Sequence, residues 1–389
     1  MRLQIDTKDR SPSIRISFTD PRLTAHGGMI VWAHFLHQKK FRAILNEHLP
    51  HDPSSPNAYD PADIGLGFLG GILAGADKLS RVAWLQSDPA VAEVLGIEAV
   101  ASQPTLSRFF GAFTQASSSA LSRLHSRALF ALPSRKEGYT LDLDSWALLH
   151  EDGHQEGVAT GYTKRGIKPC QRPLIAALAE APMVAHYWLR SGNTQCVNGA
   201  AGFLRETVAR LPAHLRLGLV RADSGFGEES FLRACEALPL NYIVVARLTQ
   251  KVQSLCRHED IWWKDTGVAG VQVQEVETDR VGRRLILIRQ RITTRPAAGG
   301  KLLVEVPGYR FQALWTNLPA IVDALSVWRR YHGRADIENR IRELGQQFGI
   351  KGLTAHKFGR PRRCTIWPSR PITCACCYNA SWGSWKNAN

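Results

Sequence analysis

The sequence predicts an α/β protein with a helical N-terminal region and a β-rich insertion. Three observations predict it. Apolar residues recur at helical spacing through the first third of the chain. From about residue 137 the pattern changes: Tyr139, Leu141 and Leu143 alternate with Thr140, Asp142 and Asp144, as in a half-buried strand, and helix-like and strand-like segments then follow one another. Between 268 and 315 short alternating runs replace helical patterns altogether.

Taken in order, Ile14, Ile16 and Phe18 suggest one short strand or an arm. Ile30, Trp32, Ala33, Leu36, Phe41, Ile44 and Leu45 fit helix over 28–49. HDPSSPNAYDP is a loop. Helical pattern resumes at Ile64–Ala74 and Val82–Leu85, and Asp88-Pro89 and Ser102-Gln103-Pro104 are helix starts. The segment PTLSRFF (104–110) reads either as the second helix of a helix-turn-helix, with Arg108 on DNA, or as a capped helix burying Phe109 and Phe110. Strands are expected at Val184–Leu189, in LRLGLVRADSG and in NYIVVARL, and helices over 199–211 and 228–238. VQVQEV, RRLILIRQ, KLLVEV and YRFQALWT form the insertion, about 245–318, and one long helix follows from Ile321 to Phe348.

With 389 residues and 44% hydrophobic content the chain has material for a large core. It has no apolar run of membrane-spanning length and no apolar core behind its first charges. Cys170, Cys196, Cys235 and Cys256 are scattered, while Cys364, Cys374, Cys376 and Cys377 crowd the end, which points to a reducing, cytoplasmic setting. The net charge of +15 points to a polyanion partner. It divides as +3 over residues 1–135 (14 basic, 11 acidic), +7 over 136–358 (30 and 23) and +5 over 359–389 (5 and none).

Three acids stand out. Asp144 and Asp223 each end an apolar strand and precede small residues, the place where open α/β sheets assemble sites. Asp142 shares a strand face with Asp144 and is a second ligand or a support. Tyr331, Arg334, Glu338 and Arg342, spaced 3, 4 and 4, fall on one helical stripe, which is either part of a site or a solvated row of ion pairs. Three carboxylates brought together repel unless cations neutralise them, and hard divalent ions take such oxygen ligands along with substrate phosphates.

The blocks 141–174, 219–236 and 331–358 resemble, in order, bacterial insertion-sequence DDE transposases, most closely the thirteen-eighty family in the group with the Y-x2-R-x3-E signature. Tyr331, Arg334 and Glu338 meet that signature, and Gly153, Gln155, Glu156 and Gly157 meet a GxQEG element. The resemblance implies an RNase H-like mixed sheet flanked by helices over 136–358 and an N-terminal DNA-binding region over 1–135. It implies Asp144, Asp223 and Glu338 as catalytic residues binding two Mg2+ or Mn2+ ions, with Asp142 as a possible further ligand. The reaction would be cleavage at transposon ends followed by strand transfer into target DNA. Double-stranded DNA would be the partner, contacted by Tyr331, Arg334, Arg342, Arg108, Lys164, Arg165 and Lys168, with a homo-oligomer synapsing the ends near a bacterial nucleoid. Other readings of the same blocks are a catalytically dead remnant that only binds DNA and a stand-alone nuclease.

Two positions depart from the family: Trp146 stands where members carry Thr, and Gly345 where members carry Lys. The last 31 residues, 359–389, have no period, no acid, four Cys and three Trp. They read as an aberrant segment, frameshifted or disordered; one back-translation in a shifted frame encodes a regular apolar helix. A zinc site on the clustered cysteines and a basic DNA-binding arm are the competing readings. The basic segment 163–172 is either a DNA contact or a solvated loop, and Trp262-Trp263 either stack on bases or pack. His154, His186 and His258 carry no assignment as ligands.

Overall fold

The computed structural model describes residues 2–5, 14–17, 20, 23–49, 55, 57–113, 129–130, 132–150, 155, 157–163, 165–181, 183–258, 262–278, 280–292 and 308–349. Gly153, His154, Glu156, Lys164, the run KLLVEV and the whole of 350–389, including its four cysteines, lie outside them.

The N-terminal region is not wholly helical. Strands β1 (Arg2–Ile5) and β2 (Ile14–Ser17) pair antiparallel ahead of the helices. The helix expected over 28–49 is two, α1 (Met29–Gln38) and α2 (Phe41–His48), because Lys40 between them turns left-handed at φ +49°. Helix α3 (Pro61–Leu73) is the axis of this unit. Asp60 caps it by accepting from the Ala62 N–H at 2.8 Å, and Pro61 supplies its first turn. All residues from Ala62 to Ile72 are buried, which fits a helix with apolar and glycine residues on every side. α4 (Leu79–Ala83), α5 (Pro89–Leu95) and α6 (Gln103–Gly111) surround it. Ser102 caps α6, Phe109 and Phe110 are buried, and Arg108 is exposed.

The second unit is built on a nine-stranded sheet in the order β11-β12-β13-β14-β10-β9-β3-β7-β8. β3 (Tyr139–Ser145) lies between β7 (Leu174–Leu178), antiparallel, and β9 (Leu217–Ala222), parallel. β8 (Met183–Trp188) extends one side and β10 (Tyr242–Val245) the other, parallel to β9. Three antiparallel strands followed by two parallel ones, with the first in the middle, is the RNase H-like arrangement. Helices α7 (Ala200–Arg210) and α8 (Glu229–Ala237) pack on it through Phe203, Leu204, Phe231 and Leu232. Along β10, Tyr242 and Val244 join that core, while Ile243 joins a second cluster with Val327 of α10 (Ala324–His332), as strand alternation requires.

The β-rich insertion is no separate body. β11 (Lys264–Asp265), β12 (Val271–Val276), β13 (Arg284–Arg291) and β14 (Tyr309–Thr316) continue the same sheet, with β14 antiparallel to β10 from Ile243↔Thr316. It also carries a helix the sequence did not announce, α9 (Gln250–Arg257), capped by Thr249. A further sheet of three strands, β4 (Leu148–Leu149), β5 (Ala159–Thr163) and β6 (Gly166–Gln171), is inserted between β3 and β7, so the basic segment 163–172 is largely strand. All four described cysteines are free thiols, and no described helix is long and apolar enough to cross a membrane.

The start of the β3–β9 pair depends on two glycines. Gly138 sits at φ +76°, and a Cβ on Gly218 would lie 2.1 Å from the Glu137 carbonyl oxygen. Backbone, not a movable side chain, blocks that space, and the register shift between Tyr139 and Thr140 lies beside it. Gly218→Ala is therefore expected to destabilise the fold by about 2 kcal/mol or more in denaturant unfolding.

Candidate active site

β3 and β9 run parallel, and their last recorded pair is Leu143↔Ala222. The next residues are Asp144 and Asp223, so adjacent strands deliver one carboxylate each to the same end of the sheet. Asp144 Oδ1 accepts from the Ser145 N–H at 2.7 Å, and Asp223 Oδ1 accepts from the Gly225 N–H at 2.9 Å. These bonds fix both carboxyl groups against the turns that follow the strands.

The third acid arrives on a broken helix. In place of one helix over 321–348, α10 ends at His332, a 3-10 turn spans Gly333–Ala335, and α11 runs Asp336–Gln346. Glu338 lies exposed in the first turn of α11, and Ile337 and Leu344 anchor that helix in the core. Asp144, Asp223 and Glu338 line one cleft of about 680 Å³, together with Trp146, Arg334, Arg342, Tyr162 and Thr163 of β5, and Arg165 and Arg172 on either side of β6. Among the described residues, no three His, Cys, Asp or Glu side chains stand close enough to hold a metal ion as they are.

Arg334 was expected on DNA. It is instead 7% exposed, donating through Nη2 to the Leu143 carbonyl at 2.9 Å and pairing with Asp144 Oδ1 at 3.2 Å. Burial works against its charge, but Asp144, Tyr331, Asp223 and Asp142 together hold it above the ordinary guanidinium value. Asp144 shows the converse. Burial, with Asp223 and Glu338 adding to it and Arg334 opposing, pushes its carboxyl up to about 6. Tyr331 is half-buried and lines a second cavity of about 1140 Å³, shared with Asp223, and burial raises its hydroxyl pKa.

Asp142 does not line the cleft. It is 2% exposed, and both its oxygens accept from Arg221, Oδ1 from Nε at 2.6 Å and Oδ2 from Nη2 at 2.7 Å. Arg221 Nη1 donates at 2.5 Å to the Arg330 carbonyl near the end of α10. One guanidinium thus ties β9 to β3 two residues before each aspartate and also holds the helix leading to Glu338. Gly333 makes room for it: a Cβ there would lie 2.7 Å from Arg221 Nη1. Arg340 makes a second anchor, donating to the carbonyls of Leu178, Ala179 and Ala181 after β7. Sequence reasoning missed both. The signal for the first was a charged residue two before each catalytic candidate, in strands otherwise apolar.

The remaining candidates separate. Arg342 is exposed at the cleft and donates to Asn339, and Arg165 also lines it. Lys168 is half-buried on β6. Arg108 belongs to the helical unit, away from the cleft. Trp146 packs half-buried against the core and also lines the cleft. Gly345 lies in the last turn of α11, where helix propensity matters less than in an interior. Trp262 is 86% exposed, whereas Trp263 packs against Phe311 with the Arg289 guanidinium 4.5 Å from its ring.

Removing one member of a buried ion pair strands the other, at about 3–5 kcal/mol. Arg221→Ala and Asp142→Ala are each expected to lose that much in denaturant unfolding. The double variant Asp142→Leu with Arg221→Met is expected to recover most of it, because no charge is left unpaired. Two single losses that simply add in the double variant would show that the two residues act independently.

A family model described as Transposase DDE domain group 1 matches residues 6–361. No curated protein matches the chain. Among solved structures the fold is similar to that of piggyBac transposase, determined by cryo-EM as a synaptic complex with hairpin DNA. The likeness has a TM-score of 0.50 at 12% identity, over 96% of this chain and 77% of that one. With a family model spanning nearly its whole length, the chain belongs to the group 1 DDE-domain transposases.

Proposed function

We propose that this transposase cuts DNA at the ends of its own insertion sequence and joins the freed strand to target DNA, with Asp144, Asp223 and Glu338 as the catalytic acids. The observation that carries the reading is their convergence, from two strand ends and a helix, on one cleft of a chain belonging to this family. The finer placement in the thirteen-eighty family rests on Tyr331, Arg334 and Glu338 and on the GxQEG element.

The donors fit a hard divalent cation. All three are carboxylates, and Asp144, whose charge is disfavoured by burial and then by its acidic neighbours, is a group whose ionised form a cation would stabilise. Mg2+ or Mn2+ held by Asp144, Asp223 and Glu338 would supply the Lewis acidity that activates an attacking oxygen and stabilises a leaving one. The chain's own residues do the rest. Arg334 orients Asp144 and offsets part of its repulsion. Arg342 and Arg165, at the cleft, are placed to hold phosphate oxygens. Arg108 and the helical unit extend the DNA contact away from the cleft, and two copies of the chain would synapse a pair of ends.

Asp144 must be ionised to bind a cation. Its raised pKa makes the protonated form prevalent below about pH 6, so cleavage is expected to rise with pH through about 6. Arg334 lowers that pKa, so Arg334→Gln is expected to move the acid limb to higher pH; a pH profile of single-turnover cleavage measures it. Raising the Mg2+ concentration is expected to move the limb the other way, because cation and proton compete for one carboxylate.

The deciding experiment incubates the purified chain and Mg2+ with DNA taken from either side of its coding sequence. Cutting at discrete end positions that disappears in Asp223→Ala is the expected result, and cutting that survives Asp223→Ala would overturn the assignment. Binding without cutting would identify a DNA-binding remnant, and cutting of unrelated DNA a general nuclease. Replacing the residues after Phe358 by those of the shifted frame tests in the same assay whether the tail limits activity.

A further inference from the structure

The β4–β6–β5 sheet stands beside the acids, and the reaction above leaves much of it unused. In the β5–β6 pair Tyr162 lies opposite Ile167, so both side chains project from one face. They are 75% and 74% exposed, while the neighbouring Thr163 is buried. Scattered exposed apolar residues are ordinary. Tyr162 differs in its position: with Thr163, Arg165 and Arg172 it lines the same cleft as Asp144, Asp223 and Glu338, and Ile167 is its cross-strand neighbour.

The mount is rigid. A Cβ on Gly161 would lie 2.1 Å from the Gly192 carbonyl oxygen, and one on Gly192 would lie 2.1 Å from the Cys170 carbonyl oxygen. Backbone therefore sits against backbone where the strand pair meets the segment after β8. Arg172 donates to the Tyr162 carbonyl, and Thr163 Oγ1 closes the turn by donating to the Gly166 carbonyl at 2.7 Å. The backbone at Tyr162 is thus held from behind, and its side chain is left largely exposed.

We propose that this strand pair is a stacking platform for an unpaired nucleobase of the DNA strand held in the cleft. Tyr162 would lie against the base face, Ile167 would wedge beside it, and Arg165 would hold an adjoining phosphate. The inference rests on the DNA-cutting reading for the cleft's occupant. Bases inside a duplex are covered on both faces, so an open ring next to a phosphate-holding site meets a base only at an end, a nick or an opened step. The cation on the same turn matches the strand's charge, and a flat amphipathic ring accepts any base.

The test uses the full chain, without divalent cation, and two probes: a blunt duplex, and the same duplex with a single-stranded 3′ overhang carrying 2-aminopurine at the junction. The wild type is expected to quench the 2-aminopurine on binding. Tyr162→Ala is expected to lose the quench and about tenfold in affinity for the overhang probe, with blunt-duplex affinity unchanged. Tyr162→Phe, which keeps the ring, is expected to behave as wild type. Three results would overturn the platform: an unchanged quench in Tyr162→Ala, an equal affinity loss on both probes, or a Tyr162→Phe variant that fails like Tyr162→Ala. Tyr162→Ala that cuts normally with its quench intact would sink the platform alone. A Tyr162-dependent quench in a chain that cuts no DNA would sink the cutting reading alone.

Discussion

The Arg221–Asp142 pair is the interaction on which the rest of the site depends. A guanidinium inside a sheet has to be paired, and here one side chain meets the requirement three ways. It takes both oxygens of a carboxylate on the neighbouring strand and gives its remaining Nη1 to a helix-end carbonyl. That geometry sets β3 and β9 side by side, and so fixes where Asp144 and Asp223 emerge. It also fixes where α10 stops. The pair contributes little net stability, since burial still raises the Asp142 carboxyl against the pull of Arg221. Its contribution is placement, because slipping either strand by one residue would strand a charge in the core.

A second balance concerns the acids themselves. Burial, to which the neighbouring Asp223 and Glu338 add, raises the Asp144 carboxyl. Arg334 answers only part of it. It is buried against β3, and its Nε has no hydrogen-bond partner among the described residues. It is a fixed internal counter-charge beside Asp144. The arginine of the Y-x2-R-x3-E signature is thus paired with an acid, whereas Arg342 and Arg165 are exposed at the cleft.

Much of this was legible in the sequence, for a physical reason. Asp144 and Asp223 sit at the ends of apolar strands, and strand ends can be read from alternation and the small residues just beyond. The helices from Ile64 to Phe110 could be read from their caps and spacing. Long-range pairing could not be read. Nothing local tells that Asp142 is consumed by a residue 79 positions away, or that β14 adds itself to β10 and not to a separate insertion. The segment 163–172 looked like a loop because its glycine and proline are turn formers, yet Gly166 serves the turn and Pro169 sits within β6 of a small sheet. The break at 333–335 was hidden because the apolar stripe continues across it.

That break has a consequence for the site itself. In a continuous α-helix Tyr331, Arg334, Glu338 and Arg342 would share one face and meet one ligand. A 3-10 turn advances about 120° per residue against about 100° in an α-helix, so three such residues rotate α11 relative to α10 by roughly 60°. The stripe is accordingly split. Tyr331 lines the larger cavity beneath the β insertion, Glu338 and Arg342 line the acid cleft, and Asp223 borders both. Asp223 is the only one of the three acids that lines both spaces, because it ends the strand that separates the insertion from β3 in the sheet order.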